Sequence, residues 1–125
     1  MVRVLIADDH RLFAEALRAI LGAEPSVDVV GLAASGVDAV RQCAELEPDV
    51  ILMDISMPDL DGLEATRRIL AARPQTQVLM VTGSDARQDV DAARIAGAAG
   101  YVTKDRIAAE LIRAIFDVTD TAPVP

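Results

Sequence analysis

Aromatic side chains are almost absent from the sequence, which has no tryptophan, one tyrosine and two phenylalanines. Proteins that hold single-stranded nucleic acid stack bases on aromatic rings, and this chain offers few such platforms. Basic residues are also scarce, at 12 against 20 acidic ones, so that the net charge is −8. A chain with this charge is repelled by phosphate backbones. We therefore expect no direct binding of nucleic acid.

Cysteine and long apolar runs are lacking too. The single cysteine, Cys43, excludes a disulfide within the chain, and its amphipathic surroundings are typical of a buried structural thiol. No apolar run approaches the roughly 20 residues that cross a bilayer, and no secretory signal precedes the first apolar segment. These absences favour a reducing cytoplasm and no membrane partner. Lysine is the rarest basic residue, since 11 of the 12 are arginine and only Lys104 is lysine.

The 125 residues suit one domain, and 52% of them are hydrophobic. Short apolar runs bounded by turn signals alternate with amphipathic stretches, and this predicts five strands and five helices. The predicted strands are Val2–Ala7, Val27–Ala33, Val50–Met53, Val78–Val81 and Ala99–Thr103. The apolar faces of the predicted helices are Phe13/Ala16/Leu17/Ile20/Leu21, Val37/Val40/Ala44, Leu63/Thr66/Leu70, an alanine-rich stretch over 85–96, and Ile107/Leu111/Ala114/Ile115. Such alternation predicts an α/β fold, a (βα)5 doubly wound parallel sheet.

Polar residues follow four of the five strands, and they predict the strand order. Asp8-Asp9 follow the first strand, Asp54 the third, Thr82 ends the fourth and Lys104 follows the fifth. The second strand contains Asp28 and ends without comparable chemistry, so an edge position suits it. If the four polar ends converge, the order is 2-1-3-4-5, the flavodoxin-like arrangement, with its crevice between the first and third strands.

Asp8, Asp9 and Asp54 would then form an acidic cluster at this crevice. Adjacent carboxylates repel one another unless a cation or protons neutralise them, and oxygen ligands suit Mg²⁺. A structural alternative is that one of Asp8 and Asp9 caps the following helix. A carboxylate can also act as a nucleophile toward phosphorus. Lys104 would supply a compact positive charge beside it, and Thr82 a hydroxyl donor.

A set of short motifs occurs in a fixed order along the chain: Asp8-Asp9, Asp54 followed by Met57-Pro58 and Asp61-Gly62, Thr82, Ala96-Gly97-Ala98, Gly100-Tyr101 and Lys104. In this set the sequence resembles the receiver domain of bacterial two-component response regulators, and the resemblance covers about residues 2–118. It implies phosphoryl transfer from a sensor histidine kinase onto Asp54. It further implies a Mg²⁺ site made by Asp8, Asp9, Asp54 and the backbone carbonyl of Ser56.

The resemblance also implies a switch. Lys104 would contact the phosphoryl group, Thr82 would move toward it, and Tyr101 would rotate inward. The face formed by the fourth helix, fifth strand and fifth helix would then control dimerisation and a DNA-binding output that regulates transcription. The chain would be a phospho-acceptor and not a turnover enzyme.

Asp8-Asp9-His10 and Gly100–Asp105 resemble receivers of the NarL/LuxR type, which carry a C-terminal helix-turn-helix domain. We therefore expect a receiver over 1–118 and a tail or linker over 119–125, in a chain truncated before its output domain. Asp105 stands where many receivers have proline, so the bond after Lys104 should be trans. His10 is expected to be a solvated residue at a helix start. Ser56 and Ser84 occupy positions that tune phosphoryl lifetime in the family.

Other functions remain open at this point. A pseudo-receiver would signal without phosphorylation, and a single-domain receiver would act without an output domain. A haloacid-dehalogenase-like phosphatase would need an acid where Ser56 stands. A flavodoxin-like cofactor binder would need a phosphate-cradling loop in place of Asp8-Asp9-His10.

Overall fold

The structure, a computed structural model, describes residues 1–83 and 86–119, and every structural statement below concerns these residues. The strands are β1 (Val2–Ala7), β2 (Val27–Ala33), β3 (Val50–Met53), β4 (Gln77–Thr82) and β5 (Gly100–Thr103). The helices are α1 (Arg11–Gly22), α2 (Gly36–Leu46), α3 (Gly62–Ala72), α4 (Arg87–Ala96) and α5 (Ile107–Thr119). A 3-10 turn over Lys104–Arg106 joins β5 to α5.

The sheet has the order β2-β1-β3-β4-β5, which confirms the predicted topology. Its four strand pairings are all parallel, and β2 lies at an edge, as predicted from Asp28. Parallel neighbours need crossover connections, which the helices supply, so both faces of the sheet are covered. The carboxyl ends of the four strands with polar ends therefore meet at one edge of the sheet.

Two apolar layers sandwich the sheet. On one face, Val4, Ile6, Leu52, Leu79 and Val81 pack against Leu17 and Leu21 of α1 and Leu111 and Ile115 of α5. On the other face, Leu5, Ile51, Met53 and Met80 pack against Ala39 and Cys43 of α2, Ala65 and Ile69 of α3, and Ala93 of α4. Cys43 is buried, as predicted, and burial raises the pKa of its thiol to about 11.

The predicted apolar faces of α1 and α2 are partly wrong. In α1 the buried residues are Ala14, Leu17 and Leu21, whereas Ala16 and Ile20 are exposed. In α2 the buried residues are Gly36, Ala39 and Cys43, one position before each residue of the predicted face, and Val37 is 53% exposed. Gly36 faces inward without a side chain because α2 lies very close to the β3–α3 loop, where a Cβ on Gly36 would come 1.8 Å from the carbonyl oxygen of Leu60.

The other helices agree better with the sequence. In α3, Thr66 is buried as predicted, but Leu63 and Leu70 are only half-buried and Ala65 and Ile69 take the inner positions. In α5, Ile107, Leu111 and Ile115 are buried as predicted, together with Phe116. Gly97 ends α4 with a φ of 110°, a left-handed conformation that favours glycine.

The chain ends and peptide geometry complete the comparison with the predictions. Three predictions concern residues outside the described ranges. They are the helix start at Asp85, the role of Ser84, and the part of the predicted tail over 120–125. Helix α5 runs to Thr119, one residue past the predicted end of the domain. No cis peptide occurs in the described ranges, so the Lys104–Asp105 bond is trans, as predicted. Among the same residues, no helix combines the length and apolar character needed to cross a membrane.

Candidate functional site

The strand register places Asp8 and Asp54 side by side. Ala7 of β1 pairs with Met53 of β3, so the next residue of each strand leaves the sheet at the same level. The backbone N–H of Asp54 donates to the carbonyl of Ala7 over 3.0 Å, which continues the ladder to the site. Both carboxylates are buried, with Asp8 4% and Asp54 3% exposed. The two acids therefore lie next to each other in buried surroundings of low dielectric constant.

Lys104 neutralises part of this charge. Its Nζ lies 2.8 Å from Asp8 Oδ2 and 3.3 Å from Asp54 Oδ2. The register explains its position, since Thr82 of β4 pairs with Thr103 of β5 and Lys104 comes next. The ammonium also lies 4.4 Å from the centroid of the Phe13 ring, a cation–π contact. The only lysine in the sequence is thus at the acidic site.

The pKa values follow from this crowding. Burial, reinforced by the negative charge of Asp8, raises the pKa of Asp54 above its ordinary value, although Lys104 opposes the rise. Burial alone would lower the pKa of Lys104, but the hydrogen bond to Asp8 and the charge of Asp54 outweigh burial and raise it. Lys104 is therefore a cation at neutral pH, and its single positive charge does not balance the negative charges of Asp8, Asp9 and Asp54.

Asp9 and His10 extend the acidic cluster toward solvent. A ligand atom from each of Asp8, Asp9, His10 and Asp54 lies within 4.8 Å of the other three. His10 is the N-cap residue of α1 and makes no capping bond with its side chain. The structural alternative that Asp8 or Asp9 caps α1 is wrong, because the N-cap residue is His10. Asp8 instead accepts the backbone N–H of His10 over 2.8 Å and pairs with Lys104. His10 is solvated, as predicted, with 65% of its side chain exposed.

Thr82 and the loop after β3 complete the site. A cleft of about 650 Å³ opens above the acids, and its lining includes Thr82, Gly83, Ser56, Leu12, Asp54 and Lys104. Thr82 is 5% exposed, at the end of β4. Tyr101 is half-buried and packs against the layer that contains Met80, and it is not among the residues that line this cleft. A larger cavity, of about 1160 Å³, lies at the opposite end of the sheet, around Val2, Gln77 and Phe116.

The loop after β3 is held against the site by α3. Asp61 caps α3 by accepting the N–H of Glu64 over 2.9 Å. Gly62 allows the close approach, since a Cβ there would lie 2.1 Å from the backbone oxygen of Asp54. The N–H of Ser56 donates to Asp54 Oδ1 over 3.4 Å. The backbone around the central carboxylate is therefore fixed by its neighbours.

Comparison with known proteins identifies the family of this chain. Residues 4–116 match the family model described as the response regulator receiver domain. This chain belongs to the response regulator receiver domain family. The family resemblance predicted from the sequence is therefore confirmed.

Sequence relatives of this receiver include named bacterial regulators. It is 43% identical over 117 residues to the response regulator GacA of Pseudomonas viridiflava, covering 92% of this chain and 54% of that protein. It is 39% identical over 118 residues to the DNA-binding transcriptional activator DevR/DosR of Mycobacterium tuberculosis, covering 94% of this chain and 54% of the relative. The chain thus spans about half the length of the curated relatives it matches.

Comparison with solved structures gives the same family. The signal receiver domain of a NarL response regulator from Mycobacterium tuberculosis superposes with a TM-score of 0.91 and 35% identity, covering 97% of this chain and 98% of that domain. A LuxR-family two-component response regulator from Aurantimonas gives a TM-score of 0.92 and 34% identity, covering 96% of this chain and 86% of that one. The NarL/LuxR-type resemblance predicted from Asp8-Asp9-His10 is confirmed by these neighbours.

Two contacts of this receiver were not foreseen from the sequence. Phe13, predicted only as part of an apolar helix face, supplies its ring to Lys104. His10, predicted only as solvated, places Nδ1 3.2 Å from Asp8, 3.4 Å from Asp9 and 3.8 Å from Asp54. Sequence spacing places both residues at the start of α1, but the side-chain directions that create these contacts are not encoded in spacing.

Proposed function

We propose that this receiver accepts a phosphoryl group on Asp54 from the phosphohistidine of a sensor histidine kinase, in a Mg²⁺-dependent reaction. The observation that carries the proposal is the placement of the Asp54 carboxylate at the end of β3, 3.3 Å from the Lys104 ammonium and beside Asp8, in an open cleft. A nucleophilic oxygen, a fixed cation and access for a phosphoryl donor are thereby combined. Membership of the receiver family supports the same chemistry.

The donor set fits a hard divalent cation. Asp8, Asp9 and Asp54 offer carboxylate oxygens within 4.8 Å of one another, and Lys104 alone does not balance their charge. The proposed ligands are these three carboxylates and the backbone carbonyl of Ser56. Bound there, Mg²⁺ would neutralise charge on the phosphoryl oxygens. Phosphoryl transfer depends mainly on such positioning and neutralisation.

The residues of the chain have separate proposed roles in the transfer. An Asp54 oxygen bonds to phosphorus as the phosphorus–nitrogen bond of the donor breaks, and the donor imidazole leaves with that electron pair. Lys104 pairs with the phosphoryl oxygens, and the Thr82 hydroxyl donates a hydrogen bond to one of them. The proposed role is that of a phospho-acceptor switch and not of an enzyme that turns over a free substrate.

The proposed readout is a change of the surface formed by α4, β5 and α5. Thr82 moves toward the phosphoryl group, and Tyr101, half-buried in the same region of the sheet, rotates inward. Because relatives twice as long include a DNA-binding transcriptional activator, we propose that this switch controls dimerisation and a helix-turn-helix output in a full-length protein. A receiver over 1–118 with a linker after it, in the cytoplasm, belongs to the same proposal.

Intact mass measurement tests the proposed acceptor. Incubation with Mg²⁺ and acetyl phosphate should add one phosphoryl group, about 80 Da, to the native protein and none to Asp54→Asn. Asp59→Asn is the matched control, because Asp59 is an exposed acid in the same loop and should still be phosphorylated. Chelation of Mg²⁺ should abolish the adduct. An adduct of equal amount on Asp54→Asn would refute the proposal. A native protein that binds neither Mg²⁺ nor beryllofluoride would favour a pseudo-receiver.

A further inference from the structure

His10 is placed to take part in cation binding at the acidic site. Its Nδ1 lies 3.2 Å from Asp8 Oδ1, 3.4 Å from Asp9 Oδ1 and 3.8 Å from Asp54 Oδ2. One ligand atom from each of these four residues falls within 4.8 Å of the others, close to the spread of ligands around a single cation. An imidazole nitrogen therefore faces the same point as the three carboxylates.

The backbone fixes this position. The N–H of His10 donates to Asp8 Oδ1 over 2.8 Å, so one of the proposed ligands holds the residue that carries the imidazole. His10 is also the N-cap of α1, with an extended backbone conformation. In one neutral tautomer Nδ1 presents a lone pair to the acids, and in the other it presents a proton. The lone-pair form offers a nitrogen ligand without movement of the chain.

A nitrogen ligand changes which cation the site prefers. Mg²⁺ favours oxygen ligands, whereas imidazole suits borderline cations such as Zn²⁺. We propose that His10 is a fourth side-chain ligand that raises the affinity of the acidic site for Zn²⁺ relative to Mg²⁺. This inference rests on the proposed function only in that the same carboxylates bind a divalent cation.

Calorimetric titration of tag-free protein with Zn²⁺ and with Mg²⁺ at about pH 7.5 tests the proposal. The preference for Zn²⁺ over Mg²⁺ should fall by about tenfold or more in His10→Asn and His10→Ala, because loss of even an indirect partner of a metal ligand costs about 10- to 100-fold. Asparagine is a good N-cap residue, so the first variant keeps the helix start. Arg11→Ala, which changes the next exposed residue, should leave the preference unchanged.

A spectroscopic readout tests direct contact. His10 is the only histidine, so the imidazole nitrogen signals in a ¹⁵N spectrum belong to it alone. Saturating Zn²⁺ should shift the Nδ1 signal, and saturating Mg²⁺ should shift it far less. An unchanged signal with Zn²⁺, or an affinity ratio close to native in both His10 variants, would overturn the proposal. If the proposal about His10 fails but the native protein still binds Mg²⁺, the proposed function stands. If neither the native protein nor Asp54→Asn binds Mg²⁺, the result counts against the proposed function itself.

Discussion

Asp54 is a carboxylate that folding removes from water and places beside a second carboxylate. Its neighbours explain both its proposed reactivity and its cost to stability. The burial and the charge of Asp8 that raise its pKa also make its charged form unfavourable in the folded protein, and Lys104 offsets only part of this. The surroundings that suit Asp54 to the proposed reaction therefore also lower the stability of the folded protein.

We predict that Asp54→Asn is more stable than the native protein at pH 7 in a chelating buffer, by on the order of 1 kcal/mol, or a few degrees in Tm. Asparagine removes the buried charge, while Lys104 keeps its 2.8 Å pairing with Asp8. The folded pKa of Asp54 is raised, so native stability falls as pH rises through the interval between the unfolded and folded pKa values. The advantage of the variant should accordingly shrink as pH falls through that interval and be lost below about pH 4, where the carboxyl becomes neutral in both states.

Chemical denaturation from about pH 3 to about pH 8 measures this difference. Asp59→Asn is the control, since Asp59 is exposed and an asparagine oxygen can still accept the N–H of Val37. Its stability should differ little from native across the range. A less stable Asp54→Asn at neutral pH would mean that the pairing with Lys104 outweighs the burial of the charge.

At the scale of secondary structure, the strands were better predicted than the helix faces. The central strands β1, β3 and β4 are short apolar runs that are buried almost throughout, so composition alone indicates their positions. A helix face depends on which side meets its neighbour. In α2, the close approach of the β3–α3 loop requires a residue without a side chain at Gly36. The face that contains Gly36, Ala39 and Cys43 is buried and Val37 is exposed, a tertiary effect that the period of the sequence does not contain.

Close packing at the start of α3 leads to a second prediction. Gly62→Ala should destabilise the protein by about 1–3 kcal/mol, because its Cβ would lie 2.1 Å from the backbone oxygen of Asp54, which cannot rotate away. The same displacement should slow phosphorylation by acetyl phosphate. Gly22→Ala is the matched control, since a Cβ added in this last turn of α1 would have no atom of the described residues within 4 Å. That change should be neutral or stabilise by about 0.5–1 kcal/mol.

Thermal unfolding and single-turnover phosphorylation of the two alanine variants provide the comparison. Equal stability of both variants would show that α3 shifts without cost and that the close approach does not fix the central carboxylate. If Gly62→Ala is destabilised but phosphorylated at the native rate, the packing of α3 supports stability and does not determine the geometry of the site.

At the scale of the whole molecule, the site could be predicted because the strand order could. The order 2-1-3-4-5 was inferred by requiring that four polar strand ends converge, and the structure brings Asp8, Asp54, Thr82 and Lys104 together at one edge. The contacts of His10 and Phe13 could not be inferred in this way, because they depend on side-chain directions at the start of α1. The sequence therefore indicates which strand ends meet, whereas side-chain packing determines which residues of α1 contact them.

The whole chain carries a net charge of −8, and its acidic site concentrates part of that charge. We therefore predict that Mg²⁺ stabilises the folded protein through binding at this site, by about 2.7 kcal/mol at a concentration about 100 times its Kd. General screening by salt also reduces repulsion, so NaCl at matched ionic strength is the control. Thermal unfolding should show a Tm increase with MgCl₂ well above that with NaCl, and Asp54→Asn should lose much of the excess. Equal increases with the two salts would place the effect in overall screening and remove the evidence for a specific cation site.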